Sequence, residues 1–224
     1  MCIRDRHKVI EKMYNVKTAW LEVGGLAKPS KMPSYAYSLP AKKCITGAKL
    51  RQIKGSVCFG CYAFKGNYVY PAVQKCLDKR LYLMNTNVKW VSAMSFLINW
   101  YGKKVKYFRW HDSGDLQSLQ HLCKIVKVVN NTPTITHWLP TREVKIIKEY
   151  KEKFGEFPSN LIVRISATMI NGMPHKFHKH SSTVITDTKI TNGWVCPSSK
   201  QGNKCLDCRA CWDKNVSDVA YIKH

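Results

Sequence analysis

The chain has 224 residues, with 37 Lys or Arg against 14 Asp or Glu and a formal net charge of +23. Its 45% hydrophobic and 11% aromatic content argues against disorder, and the length suits one domain with a sizeable core. No apolar run is long enough to span a bilayer and no apolar leader opens the chain, so composition predicts a soluble, cytoplasmic protein with no membrane partner.

The opening Met1-Cys2-Ile3-Arg4-Asp5-Arg6 resembles a translated sequencing-adapter scar, and residues 1–6 are read as non-native. The stretch from Leu26 to Gly66 is rich in Gly, Pro and Ser and reads as irregular, with a short strand at Tyr35–Leu39. Two amphipathic helices follow. Val73, Cys76, Leu77, Leu81 and Met84 share one face of the first; Trp90, Met94, Leu97, Ile98 and Tyr101 share one face of the second.

Strands and helices then alternate. Val105–Trp110 reads as a strand, followed by a helix that carries Leu119, Cys123, Val126 and Val129 on one side. Thr134–Leu139 is the next strand, followed by a helix with Val144, Ile147, Tyr150 and Phe154 inward. Asn160–Ile165 is a third, and Ser182–Ile185 and Gly193–Val195 are shorter candidates. This alternation predicts an α/β fold with parallel strands, wound into an open sheet or a partial (β/α) barrel. The partial barrel is the favoured form. It would occupy 7–195 with an N-terminal cluster loop, and a cysteine-rich segment at 196–224 would pack on the same domain.

In parallel α/β folds the working residues collect where strands end. Here the strand ends are Arg109-Trp110-His111-Asp112-Ser113-Gly114-Asp115, Pro140-Thr141-Arg142-Glu143 and Arg164-Ile165-Ser166-Ala167-Thr168. Asp115 and Thr141 would also serve as ordinary N-caps of the helices that follow. That leaves His111, Asp112, Arg142 and Arg164 unexplained.

The ten cysteines are the strongest compositional signal. Seven fall into two groups, and close C-x-x-C pairs in a reducing compartment point to metal or redox chemistry rather than disulfides. Cys44, Cys58 and Cys61 form an incomplete set, able to hold three irons of a cubane and leave one open. A zinc site would need a distant fourth ligand, such as Cys76. Cys196, Cys205, Cys208 and Cys211 are complete by themselves, in a C-x2-C-x2-C run similar to ferredoxin spacing, with zinc as the alternative. Cys76 and Cys123 read as core residues. His175, His178 and His180 read as a solvated loop, or less readily as imidazole ligands.

Cys58-x2-Cys61-Tyr62 resembles the second half of the cluster loop of radical S-adenosylmethionine enzymes, although thirteen residues separate Cys44 from Cys58. The layout is more similar to the phage gene product 88 family. The likeness lies in Ser38-Leu39-Pro40-Ala41, Cys61-Tyr62-Ala63, the Arg109–Leu116 segment and Cys196-Pro197. A second phage family, gene products 37 and 68, has a similar plan. The resemblance implies a radical-enzyme-like partial barrel in the host cytoplasm.

On that reading the early cysteines carry a [4Fe–4S] cluster, the late ones a second cluster or zinc, and S-adenosylmethionine binds the open iron. His111, Tyr62, Arg142, Arg164 and Ser166 would bind that cofactor, and Asp112, Ser113 and Asp115 would work on the substrate or ribose. An electron donor such as flavodoxin or ferredoxin would be required. The excess of Lys and Arg suits a nucleic-acid partner, or reflects a generally Lys-rich composition. Two other readings stay open: a non-enzymatic zinc or iron–sulfur nucleic-acid-binding module, and a nuclease using Asp112, Asp115 and Glu143 around Mg²⁺.

Overall fold

A computed structural model describes residues 13–191 and 193–223; the adapter-like residues 1–6 lie outside that range. Its centre is a seven-stranded sheet in which every pairing is parallel. The strands are β1 (Ala36–Tyr37), β2 (Tyr107–Trp110), β3 (Thr136–Thr141), β4 (Leu161–Ser166), β5 (Ser181–Ile185), β6 (Trp194–Val195) and β7 (Asp218–Ile222). Their spatial order is β1-β2-β3-β4-β5-β7-β6. From β1 to β5 the order follows the chain, with no reversal of the kind that marks a doubly wound sheet.

The helices are α1 (Val16–Val23), α2 (Ile45–Leu50), α3 (Pro71–Thr86), α4 (Trp90–Gly102), α5 (Leu119–Asn130) and α6 (Val144–Phe154). Local chemistry sets several of their ends. Asn15 and Thr18 form a capping box at α1, Pro71 opens α3, and the Ser118 hydroxyl accepts from His121 N at 3.1 Å to start α5. Ser118, not Asp115, is therefore the cap of α5. Thr141 is a strand residue, and Glu143, which makes no side-chain cap, precedes α6.

Strand alternation sorts the two faces of the sheet. Phe108 and Trp110 of β2, Leu139 of β3, and Leu161, Val163 and Ile165 of β4 join the helices in the main core. The opposite face carries Tyr107, Arg109, Trp138 and Arg164. Against it packs a second, smaller core of Trp138, Ala210, Cys211, Trp212 and Val219. The Trp138 and Trp212 rings meet edge-on at 5.2 Å, a contact worth roughly 0.5–1.5 kcal/mol beyond its buried area. Trp212 Nε1 also donates to the Phe108 carbonyl at 2.9 Å, so the cysteine-rich segment is fastened to the sheet by apolar and polar bonds together.

Three elements were not expected from sequence: α1, α2 and β7. β7 slots between β5 and β6, which makes the C-terminal stretch part of the sheet. Among the described residues, no helix is long and apolar enough to cross a membrane.

Candidate functional site

The early cysteine loop lies across the C-terminal ends of the parallel strands. Val57 N donates to the Thr168 carbonyl and Ile170 N to the Gly55 carbonyl, at 2.9 and 3.0 Å, just beyond β4. Beyond β3, the Glu143 carboxylate accepts from Thr46 N and Thr46 Oγ1, both at 2.8 Å. Beyond β2, the Tyr62 hydroxyl donates to the Asp112 carbonyl. Three successive strand ends thus hold one loop.

The same anchoring brings the thiols together. A methyl group added at Gly47 would meet Cys44 Cβ at 3.0 Å, Cys44 Sγ at 3.6 Å and Cys58 Sγ at 3.7 Å, so glycine leaves room where the two sulfurs converge. Burial pushes the Cys44 thiol up to about 12, and Asp115, Cys61, Cys58 and Glu143 push in the same direction. Burial raises Cys58 as well, opposed by the Arg142 guanidinium. A buried Cys58 with half-buried Cys44 and Cys61, beside two carboxylates and a single Arg, is a donor set that favours bound positive charge. Cys76 is not part of it: its thiol faces the Gly24 carbonyl at 3.8 Å.

The rim residues fall into two sets. Asp115 is buried and accepts from Thr141 Oγ1 (2.6 Å), Leu116 N (2.7 Å) and Arg142 N (2.9 Å), which locks the ends of β2 and β3 together. Burial raises its carboxyl to about 6 against those hydrogen bonds. Ser113 donates to the Leu39 carbonyl at 2.9 Å, and Leu39 N returns a bond to Ser113 O. Gly114 sits at φ 79° where a Cβ would fall 2.7 Å from Leu39 backbone and side chain, so only glycine permits that approach. Ser166 Oγ meets Ser182 Oγ at 3.0 Å. These residues build the rim.

Asp112, Arg142 and Tyr62 open onto it, while His111 lies buried behind it. Asp112 accepts from Ser38 and from Tyr68 at 3.2 Å, and it lines an open cavity of about 350 Å³ with Arg80, Cys76 and Val73. Arg142 is half-buried beside Cys58, and its Nε has no partner in the protein. Tyr62 keeps its ring exposed, edge-on to Tyr68 at 5.7 Å. His111 is buried at φ 55°, with both ring nitrogens unpartnered and its ring 5.2 Å from His121. Burial lowers its basicity strongly, so the ring is neutral.

Arg164 corrects the sequence reading. It is fully buried on the other face, and its guanidinium donates to the carbonyls of Cys211, Ser181, Ser217, Ala210, Asp213 and Val216 at 2.8–3.2 Å. No donor remains for a cofactor carboxylate. Its task is to clamp the late cysteine segment to β4. The histidine loop is corrected too: His178 bonds the Val163 carbonyl at 3.0 Å and His180 the Lys214 carbonyl at 2.9 Å, so neither is merely solvated.

Of the late thiols, Cys196, Cys208 and Cys211 pack in the second core on the sheet face. Burial raises Cys205, with Cys196 and Cys208 adding to the effect; burial also raises Cys211 to about 12, although its sulfur lies 3.1 Å from the Tyr221 hydroxyl. Arg109 stands between the two groups, a residue that sequence did not single out. Its guanidinium lies 4.5 Å from the Trp138 ring centre. Burial opposes its charge, but Tyr62, Asp112, Tyr221 and Cys211 hold it charged. In the sequence it stands only at the head of the Arg109–Asp115 run, with no role given to it.

None of the nine described cysteines is in a disulfide. Among the described residues, no three His, Cys, Asp or Glu side chains surround a single-ion position, and this includes Asp112, Asp115 and Glu143. A polynuclear cluster spaces its thiolates more widely than one ion does, and the convergence of Cys44 and Cys58 at Gly47 fits such a group. Residues 10–214 match one family, whose description is Gene product 88. No curated protein and no solved structure matches the chain.

Proposed function

The chain belongs to the phage Gene product 88 family, and we propose that it is an iron–sulfur protein of radical-S-adenosylmethionine type. The observation that carries this reading is the docking of the Cys44–Cys61 loop over three parallel strand ends with its thiols converging beside Arg142. The unreversed strand order from β1 to β5 supports a partial (β/α) barrel, whose working face is that rim.

Cys44, Cys58 and Cys61 would hold a [4Fe–4S] cluster. When bound with one iron open, such a cluster supplies the electron that cleaves S-adenosylmethionine, received from a flavodoxin- or ferredoxin-like donor. The chain's own residues do the rest. Arg142 offers a guanidinium fork suited to a carboxylate. Asp112 presents a hydrogen-bond acceptor to the adjoining cavity, and Tyr62 covers the loop from solvent. Asp115 and Glu143 fix the strand ends and the loop. The late cysteines would hold a second cluster or zinc with a structural role.

Anaerobic reconstitution with iron, sulfide and zinc analysis tests this reading. Two four-iron clusters should give about seven to eight irons per chain, falling to about four in Cys58→Ala/Cys61→Ala. Zinc without sulfide in the wild type would overturn it. Calorimetric S-adenosylmethionine binding, weakened at least about tenfold by Arg142→Met, should accompany the iron, as expected for loss of a charge-assisted pair.

A second reading is a non-enzymatic metal-containing nucleic-acid-binding module, favoured by the exposed aromatics of the early loop. Salt-sensitive nucleic-acid binding with no S-adenosylmethionine binding would select it.

A further inference from the structure

Acidic residues are missing from one continuous part of the chain. Between Glu22 and Asp78 there are nine Lys or Arg and no Asp or Glu. The lysines are spread through the whole sequence and residues 79–111 and 157–186 also lack acids, so it is the length of this acid-free stretch that makes it distinct. It contains the early cysteine loop. Lys43, Lys49, Lys54, Lys65 and Lys75 are exposed there, while Lys42 is neutralised by Asp78 at 2.7 Å.

The same loop exposes aromatic rings instead of burying them. Phe59, Tyr62 and Tyr70 are each more than half exposed, at 53%, 56% and 57%, and Phe64 is 39% exposed. Their burial would normally contribute stability, so four exposed rings on one short loop are unusual. Arg51 lies 4.3 Å from the centre of the Phe64 ring, and Tyr68 braces Tyr62. The rings are thus held in place at the surface. The loop is built of short turns and a six-residue α2.

We propose that this loop is a docking surface for single-stranded nucleic acid, with bases stacked on Phe59, Tyr62, Phe64 and Tyr70 and phosphates held by the flanking lysines. Rings interleaved with cations match an unpaired strand, which offers both open base faces and a regular line of charge. A duplex hides its base faces. An anionic membrane is the poorer fit, because interfacial binding of this kind uses an amphipathic helix, and α2 is too short to provide one. The proposal deepens the reading above and rests on it for the role of the rim: a strand lying here passes directly over the early thiols.

The test uses the full chain and oligonucleotides of about 12 residues, a length within the usual site sizes. Fluorescence anisotropy would compare a uridine or thymidine single strand, a duplex of equal length and vesicles of phosphatidylcholine with phosphatidylserine. Single strands should bind best. Lys49→Ala/Lys54→Ala/Lys65→Ala should lower the slope of log affinity against log salt by about 2, at about 0.7 per lost phosphate contact. Phe64→Ala and Tyr70→Ala should each weaken binding roughly five- to hundredfold, the usual range for one lost stacking platform. Phe64→Tyr should keep it, and Lys145→Ala serves as a charge control. Tighter binding to duplex, binding to vesicles alone, or an unchanged salt slope in the lysine variant would overturn the proposal. Iron and sulfide are measured on the same preparations. Full iron with no strand binding sinks only this inference; strand binding without iron sinks only the reading above.

Discussion

The two cysteine groups place the same side chain in opposite settings. The early loop lies outside the sheet's edge, hangs from carboxylate and carbonyl bonds at three strand ends, and exposes its aromatic rings. The late segment lies against a sheet face, buries Cys211 and Trp212, and is gripped by five bonds from one guanidinium. The difference teaches that cysteine count alone does not assign a role. Burial and anchoring do. On the proposed reading, a group that is both closed and packed would serve the fold, while an incomplete group at the open end of parallel strands would be placed for chemistry.

Removing cysteines from each group would break or sharpen that contrast most. Cys208→Ala/Cys211→Ala should lower unfolding free energy by at least about 4 kcal/mol, since it opens the second core and cancels any bound metal. Cys58→Ala/Cys61→Ala should cost about 1 kcal/mol by the same urea titration, with exchange protection lost only around residues 44–61. Equal losses would erase the distinction.

Arg164→Met comes next. It removes six hydrogen bonds, three of them buried, and should cost about 3–5 kcal/mol, with late-segment metal lost before early-segment metal on mild denaturation. A stable variant with normal late-segment metal would show the clamp to be dispensable. On the other side, Glu143→Gln should cost about 1–3 kcal/mol and loosen the early loop alone, because it weakens the two bonds that Thr46 makes to that side chain.

The smallest effect concerns pH. Burial, helped by Lys151, lowers His178 from 6.5 to about 4. A lowered base stabilises the fold fully above pH 6.5 and loses that contribution as pH falls towards 4. After discount for partial exposure this amounts to about 1–2 kcal/mol. His178→Gln should flatten that part of the acid response. Metal release on acidification should persist in the variant, since it follows thiol protonation.

Much of the sheet was legible because apolar periodicity is local. β2 to β6 and the helices from α3 to α6 appear close to their expected positions. β7 escaped notice because five residues in a cysteine-rich tail carry little periodicity, and its partners are not its chain neighbours. Ser118 was overlooked as a cap although its type and its place one residue before α5 were visible. Arg164 and Arg109 were the harder cases. An Arg at a strand end looks like an Arg aimed at a ligand, and only alternation combined with what covers each face separates the two. In β4 that face is filled by the late segment; in β2 it lies between both cysteine groups.

Legible in the sequence alone were the strands β1 to β6 and helices α3 to α6, the parallel class of the sheet, the two cysteine sets and the acid-free stretch around the first. Those follow from residue spacing and charge, which are properties of the chain alone. Tertiary structure decided which group is buried, which carboxylates are already committed and which arginine is left for a ligand. The physical reason is that burial and hydrogen-bond satisfaction belong to pairs of distant segments, and no single segment encodes its partner.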